Sequence, residues 1–185
     1  KIRQLLDKLD AVGEGDMLVL SGSIPNTLPD DMYEKIMRRF MGRKVKVCVD
    51  AARGLLVNVL KYHPFLVKPN SRELGEVFGC VLKREEEVIR CAKKLQQMGA
   101  VNVLVSMAGD GAVLVDEYKM ARKQAPPKGE VVNSVGAGDS MVAGFLSGYL
   151  QTGDYGYALK LGTAAGSATA FTSWLAGRKA ILGML

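Results

Sequence analysis

The most chemically pointed feature of the sequence is an aspartate set directly behind a glycine-alanine-glycine turn, in Asn133-Ser134-Val135-Gly136-Ala137-Gly138-Asp139-Ser140. The small residues leave backbone amides uncovered, and amides grouped in this way hold anions. Met141, Val142, Phe145, Leu146, Tyr149 and Leu150 follow at helical spacing, which predicts a helix over Asp139–Gln151. The amides of Gly136, Ala137 and Gly138 then fall at a helix N-terminus, where orphan N–H groups and the macrodipole favour negative charge. Asp139, in the first turn, can be a proton acceptor beside a bound anion. It can equally be a plain helix cap, with the glycines making only a tight entry turn.

Three other stretches collect polar residues where strands should end: Ser21-Gly22-Ser23-Ile24-Pro25, Lys68-Pro69-Asn70-Ser71-Arg72-Glu73 and Ser106-Met107-Ala108-Gly109-Asp110-Gly111-Ala112. Each also has a structural reading. Asn70, between a proline and a helix, suits an N-cap with Glu73 as its capping-box partner. Lys68 suits a strand-end lysine in water, and Gly109-Asp110-Gly111 a hairpin turn. His63, the single histidine, precedes Pro64 and reads as a solvated turn residue without a catalytic role. Trp174, the single tryptophan, reads as packing rather than as a stacking platform.

The elements that must position these residues alternate along the chain. Met17–Leu20, Val45–Val49, Phe65–Val67 and Val101–Val105 are short apolar runs bounded by turn residues, the pattern of buried strands. Asp30–Met41, Arg53–Lys61 and Arg84–Met98 carry helical patterns, with Asp30 and Asp31 suited to the N-terminus of the first. A charged amphipathic helix opens the chain at Lys1–Leu9, and a hairpin over Ala112–Val115 and Tyr118–Ala125 precedes the glycine-rich loop. Two long helices, Asp139–Gln151 and Asp154–Phe171, close it; Gly162-x-x-x-Gly166 in the second should let a neighbour approach closely. Such alternation predicts an α/β fold: right-handed β-α-β units forming a mostly parallel, doubly wound sheet covered by helices. In that architecture ligands gather beyond the carboxyl ends of the strands, where the polar stretches lie.

Composition sets the outer bounds. A chain of 185 residues with 48% hydrophobic and 24% charged residues suits a single domain, 1–185, with a substantial core. The 25 Lys and Arg exceed the 19 Asp and Glu to give +6, but they are scattered, so neither nucleic acid nor a membrane is expected as partner. Three cysteines without a Cys-x-x-Cys suggest no disulfide framework or zinc site and fit a reducing cytoplasm. The N-terminal residues lack the apolar run of a signal peptide.

Taken in order and at these separations, the four stretches resemble the ribokinase-type (PfkB) carbohydrate kinases, and the Ser-Gly-Ser-Ile-Pro and Asn-Ser elements resemble the 1-phosphofructokinase and tagatose-6-phosphate kinase branch. The resemblance implies a ribokinase-like three-layer α/β/α fold and ATP-dependent phosphoryl transfer to a sugar phosphate, D-fructose 1-phosphate foremost. Tagatose-6-phosphate kinase, or a nucleotide-binding module without turnover, are the alternatives. By the same resemblance Asp139 is the catalytic base and the Gly136, Ala137 and Gly138 amides form the anion hole. Asn70 and Glu73 order Mg2+ through water, Lys68 meets the phosphates of ATP, Ser106 and Gly111 contact ATP, Ser167 lies near the adenine pocket, and Ser23 faces the sugar phosphate. Ala108 departs from the family pattern, which has glycine there. The chain also reads as the C-terminal part of such an enzyme, lacking the first Gly-Gly signature, the early sugar-binding residues and the β-lid through which a homodimer would form; the isolated piece is expected to be inactive.

Overall fold

The computed structural model describes residues 2–185, so Lys1 of the expected N-terminal helix lies outside the described residues. Six strands form one mixed sheet in the hydrogen-bonding order β1-β2-β3-β4-β5-β6. They are β1 (Met17–Ser21), β2 (Lys46–Asp50), β3 (Leu66–Val67), β4 (Asn102–Ser106), β5 (Ala112–Val115) and β6 (Ala121–Gln124). Backbone contacts group the chain into two compact units, Lys1–Val103 and Leu104–Leu185.

In the first unit β1, β2, β3 and β4 pair in parallel, each crossover stepping one strand in the same direction. The crossovers carry α2 (Met32–Arg39), α3 (Arg53–Val59), α4 (Ser71–Val77) and α5 (Glu85–Gln97), after the N-terminal α1 (Ile2–Leu9). Steps of one sense and one hand place the crossover helices side by side, and α2 packs on α3, α3 on α4 and α4 on α5. Periodicity located these strands and helices to within about two residues, α4 excepted, of which only the Asn70 cap was expected. The helix expected from Asp30 starts at Met32, because Asp31 makes no side-chain cap and instead pairs with Lys35 at 2.8 Å. The third helix tightens into a 3-10 turn at Leu60–Tyr62 and stops at His63, whose φ is 54°. His63 is exposed as expected, and its Nδ1–H donates to the Gly99 carbonyl at 3.0 Å. Glu87 closes the start of α5 by accepting from the Lys83 and Arg84 amides and the Arg84 guanidinium, which hold its carboxyl down to about 2.

In the second unit the antiparallel β5–β6 hairpin leads to α6 (Ala137–Thr152), α7 (Tyr155–Ala170) and a short α8 (Arg178–Leu182) that periodicity did not reveal. The hairpin turn is organised by Asp116, which is fully buried; it accepts from the Tyr118 and Met120 amides at 3.0 Å each and pairs with Arg122. The expected close approach through Gly162 and Gly166 is present: a Cβ at Gly162 would stand 2.9 Å from the Met141 carbonyl oxygen, and one at Gly166 would stand 3.1 Å from that of Ala137. Glycine and alanine along both helices thus bring α7 against the first turns of α6. Trp174 corrects an expectation. It is 83% exposed, because α7 ends before it and the Ser173–Gly177 segment runs over the surface.

Candidate active site

The glycine-rich loop is fixed from its first residue. The Val132 and Asn133 amides both donate to the Ala170 carbonyl, at 2.8 and 3.1 Å, which ties the loop to the end of α7. The Asn133 side chain then accepts the Val135 amide at 3.0 Å, an Asx turn that folds the chain toward Gly136. Gly136 takes φ 77° as the N-cap of α6. A side chain would be strained at that φ, and a Cβ there would stand 2.7 Å from Leu175 Cδ2, so the position favours glycine.

Because the N-cap is a glycine, no side chain caps α6 from that position, and Asp139 stands at the third residue of the first turn, exposed. Of the three expected anion-hole amides, that of Ala137 is drawn into the turn itself, donating to the Ser134 carbonyl at 3.2 Å. The next residue, Ser140, is held by Thr169 of α7 through a 2.9 Å hydroxyl contact. Ser167 is half-buried on the same helix, one residue from the Gly166 position that abuts Ala137. The loop from Ser106 to Gly111 forms its own turn, with the Met107 amide donating to the Gly111 carbonyl at 2.8 Å. Gly111 has φ 86°, and a Cβ would stand 2.1 Å from the Gln124 carbonyl oxygen, so this glycine is a packing requirement of the hairpin exit. Ala108, where the family pattern has glycine, does adopt a left-handed φ of 48°.

In the first unit the candidate residues satisfy one another. Asn70 and Glu73 make a complete capping box at the start of α4: the Glu73 amide donates to Asn70 Oδ1 and the Asn70 amide to Glu73 Oε2, both at 2.8 Å. Lys68 is not a strand-end lysine in water. It is 6% exposed and pairs with Asp50 at 3.1 Å, side by side at the carboxyl ends of β3 and β2. The Gly22 amide donates to the Asp50 carbonyl at 3.0 Å, and the Tyr33 hydroxyl donates to the Gly22 carbonyl at 3.0 Å, which fixes the turn before the exposed Ser23. Burial, and secondarily the charge of Asp50, push the Tyr33 hydroxyl above its usual pKa. Asp50 and Tyr33 were missed from sequence; the signal for Asp50 was a carboxylate ending an apolar strand at the ligand-bearing edge.

The donor sets suit a nucleotide triphosphate and a hard cation. Gly136 makes a cradle that a Cβ would fill at the mouth of a helix of 16 residues, and Asn70 and Glu73 offer only oxygen ligands.

The chain belongs to the pfkB family of carbohydrate kinases, whose profile matches residues 1–174. It is 44% identical over 173 residues to 1-phosphofructokinase of Bacillus subtilis, covering 94% of this chain and 57% of that protein. It is 38% identical over 174 residues to D-tagatose-1-phosphate kinase of Bacillus licheniformis, with the same 94% and 57% coverage. A crystal structure of a candidate phosphofructokinase from Staphylococcus aureus superposes with a TM-score of 0.93 at 37% identity, over 99% of this chain and 60% of that one. The chain therefore spans somewhat over half the length of the relatives it matches.

Proposed function

We propose that this chain carries the nucleotide and catalytic residues of an ATP-dependent kinase that converts D-fructose 1-phosphate to fructose 1,6-bisphosphate. The observation that carries the proposal is Asp139, exposed in the first turn of α6 directly behind the left-handed Gly136. Its carboxylate accepts the proton of the sugar hydroxyl as that oxygen bonds to the γ-phosphorus and the bond to the bridging oxygen of ADP breaks. The Gly136 and Gly138 amides and the α6 dipole stabilise the charge on the transferring group. Ala137 contributes by holding the turn, its own amide being spent on Ser134.

Lys68 offsets negative charge near the nucleotide as one half of the Asp50 pair rather than as an isolated cation. Glu73 Oε2 is committed to the capping box, so Oε1 would hold magnesium through water. Magnesium, when bound, neutralises phosphate charge. Ser106, Gly111 and Ser167 contact ATP, and Ser23 the sugar phosphate. The protein works in the cytoplasm as a soluble sugar-phosphate kinase; no helix of the described residues is long and apolar enough to cross a membrane. A homodimer of the complete enzyme through a lid belongs to the same reading.

The 44% identity to a 1-phosphofructokinase favours fructose 1-phosphate. The 38% identity to a tagatose phosphate kinase supports a second reading, a tagatose phosphate as acceptor. Assay of ADP release by the complete protein with each of the two ketohexose 1-phosphates and with tagatose 6-phosphate separates them. The highest kcat/KM is expected with fructose 1-phosphate. A preference for either tagatose phosphate would replace it, and no turnover with any of the three would overturn the kinase reading.

A further inference from the structure

A cleft of about 340 Å³ opens in the first unit at the amino ends of β2, β3 and β4, the ends opposite Asp50 and Lys68. The end of α2, the turn after it, the start of β2 and the segments leading into β3 and β4 supply its lining. Buried Met37, Phe40, Val47 and Phe65 make an apolar floor, and Met41, 61% exposed, extends it outward. The backbone fixes this floor. The Phe65 amide donates to the Val47 carbonyl at 2.8 Å, and the Arg43 amide to the Phe40 carbonyl at 3.1 Å, with Gly42 at φ 75° inside that turn.

The rim is cationic. Lys46 Nζ lies 5.4 Å from the centre of the Phe65 ring and the Arg43 guanidinium 5.0 Å from that of Phe40, so both charges sit over the rings of the floor. No acidic residue lines the cleft among the described residues. The neighbouring acids are committed elsewhere: Glu34 pairs with Lys61 at 2.6 Å, Asp10 accepts from Arg39 at 2.9 Å, and Asp16 accepts the Gly13 amide at 2.8 Å. The charge of Lys61, a third lining cation, is thus answered by Glu34. Arg43 is anchored by donating from Nη2 to the Val12 carbonyl at 2.6 Å, which leaves its charge without a carboxylate partner among the described residues.

We propose that this cleft binds a small apolar carboxylate, its body on Met37, Phe40, Val47 and Phe65 and its carboxylate at the rim between Lys46 and Arg43. The planar Arg43 fork matches a carboxylate, and Lys46 adds a point charge on a flexible stem. The two methionines, soft and unbranched, adapt the floor to a ring or a short chain. The volume falls at the low end of ligand cavities, roughly 300–1,000 Å³, which suits a ligand of one ring. Lys46 opens the strand that Asp50 closes, and Phe65 precedes the strand that Lys68 follows, so the site is separate from those residues and the proposal stands independently of the kinase reading.

Isothermal titration calorimetry of the complete protein with phenylbutyrate tests it. One saturable site is expected with a Kd of about 0.1–1 mM, the range open to a ligand of this size. Phenylbutanol, of the same shape without the charge, should bind at least roughly fivefold more weakly. Lys46→Glu, a change at an exposed position, should leave the melting temperature unchanged and abolish phenylbutyrate binding. Saturating MgATP should not displace the ligand. No saturable binding, equal binding of the alcohol, undiminished binding by Lys46→Glu, or displacement by MgATP would each overturn the proposal.

Discussion

The corner at the end of β3 and the loop before α6 use similar residue types to opposite ends. At the β3 corner polar groups answer one another within the chain: Lys68 answers Asp50, and Asn70 and Glu73 answer each other's amides. At the loop, hydrogen bonding is spent on shaping the backbone, through Asn133, Ala170 and Ser134, and the acid is left exposed at a helix mouth. A satisfied corner stabilises the fold. On the proposed reading, the exposed acid behind Gly136 serves the chemistry. Stability and activity should therefore separate between the two regions.

The largest stability loss is expected at the satisfied corner. Lys68→Met leaves Asp50 without its cation and should cost about 3 kcal/mol, the low end for breaking a buried pair because Asp50 keeps some contact with water. Adding Asp50→Asn should restore most of that loss, and urea unfolding of the two single variants and the double one measures the coupling. Equal loss in the single and double variants would mean the pair is not a pair.

Next is the capping box. Glu73→Ala should cost about 1 kcal/mol by removing the box, whereas Glu73→Gln keeps it, since glutamine serves at that position. In the complete protein Glu73→Gln should therefore unfold like the parent yet require more magnesium for activity. A magnesium titration beside a melting curve checks both halves; an unchanged magnesium requirement would make Glu73 a capping residue alone.

The smallest effect is a gain. Ala108 holds a left-handed φ of 48° in the turn before β5, and glycine tolerates that conformation without strain. Ala108→Gly should raise stability by about 0.5–1 kcal/mol, less than the strain relieved because glycine also loosens the unfolded chain. Differential scanning calorimetry would show it; a lower melting temperature would mean the alanine methyl contributes packing that outweighs its strain.

Much of this was legible in the residues. The run Val101–Val105 reports a strand buried on both faces and the spacing of Met141, Phe145 and Tyr149 a helix buried on one, and burial patterns follow from side chains alone. The Asn70–Glu73 box was legible because it is local, three residues apart. The Lys68–Asp50 pair was not, because parallel pairing of β2 with β3 brings together residues 18 positions apart that carry no joint mark in the sequence. Trp174 misled for a related reason: a large apolar residue ordinarily signals a core, but only the end of α7 determines that this one runs over the surface. The commitment of the Ala137 amide to Ser134 likewise depends on the path of the turn and not on residue type.

The central claim is that Asp139 takes a proton rather than capping a helix, and kcat of Asp139→Asn in the complete protein tests it most directly. Asparagine keeps the size and the hydrogen-bonding capacity of aspartate, and caps about as well, but it cannot act as the base. With MgATP and fructose 1-phosphate both saturating, kcat should fall by roughly 10²–10⁴, with the melting temperature unchanged and both affinities within severalfold of the parent. Turnover near the parent value would make Asp139 a structural residue and contradict the account.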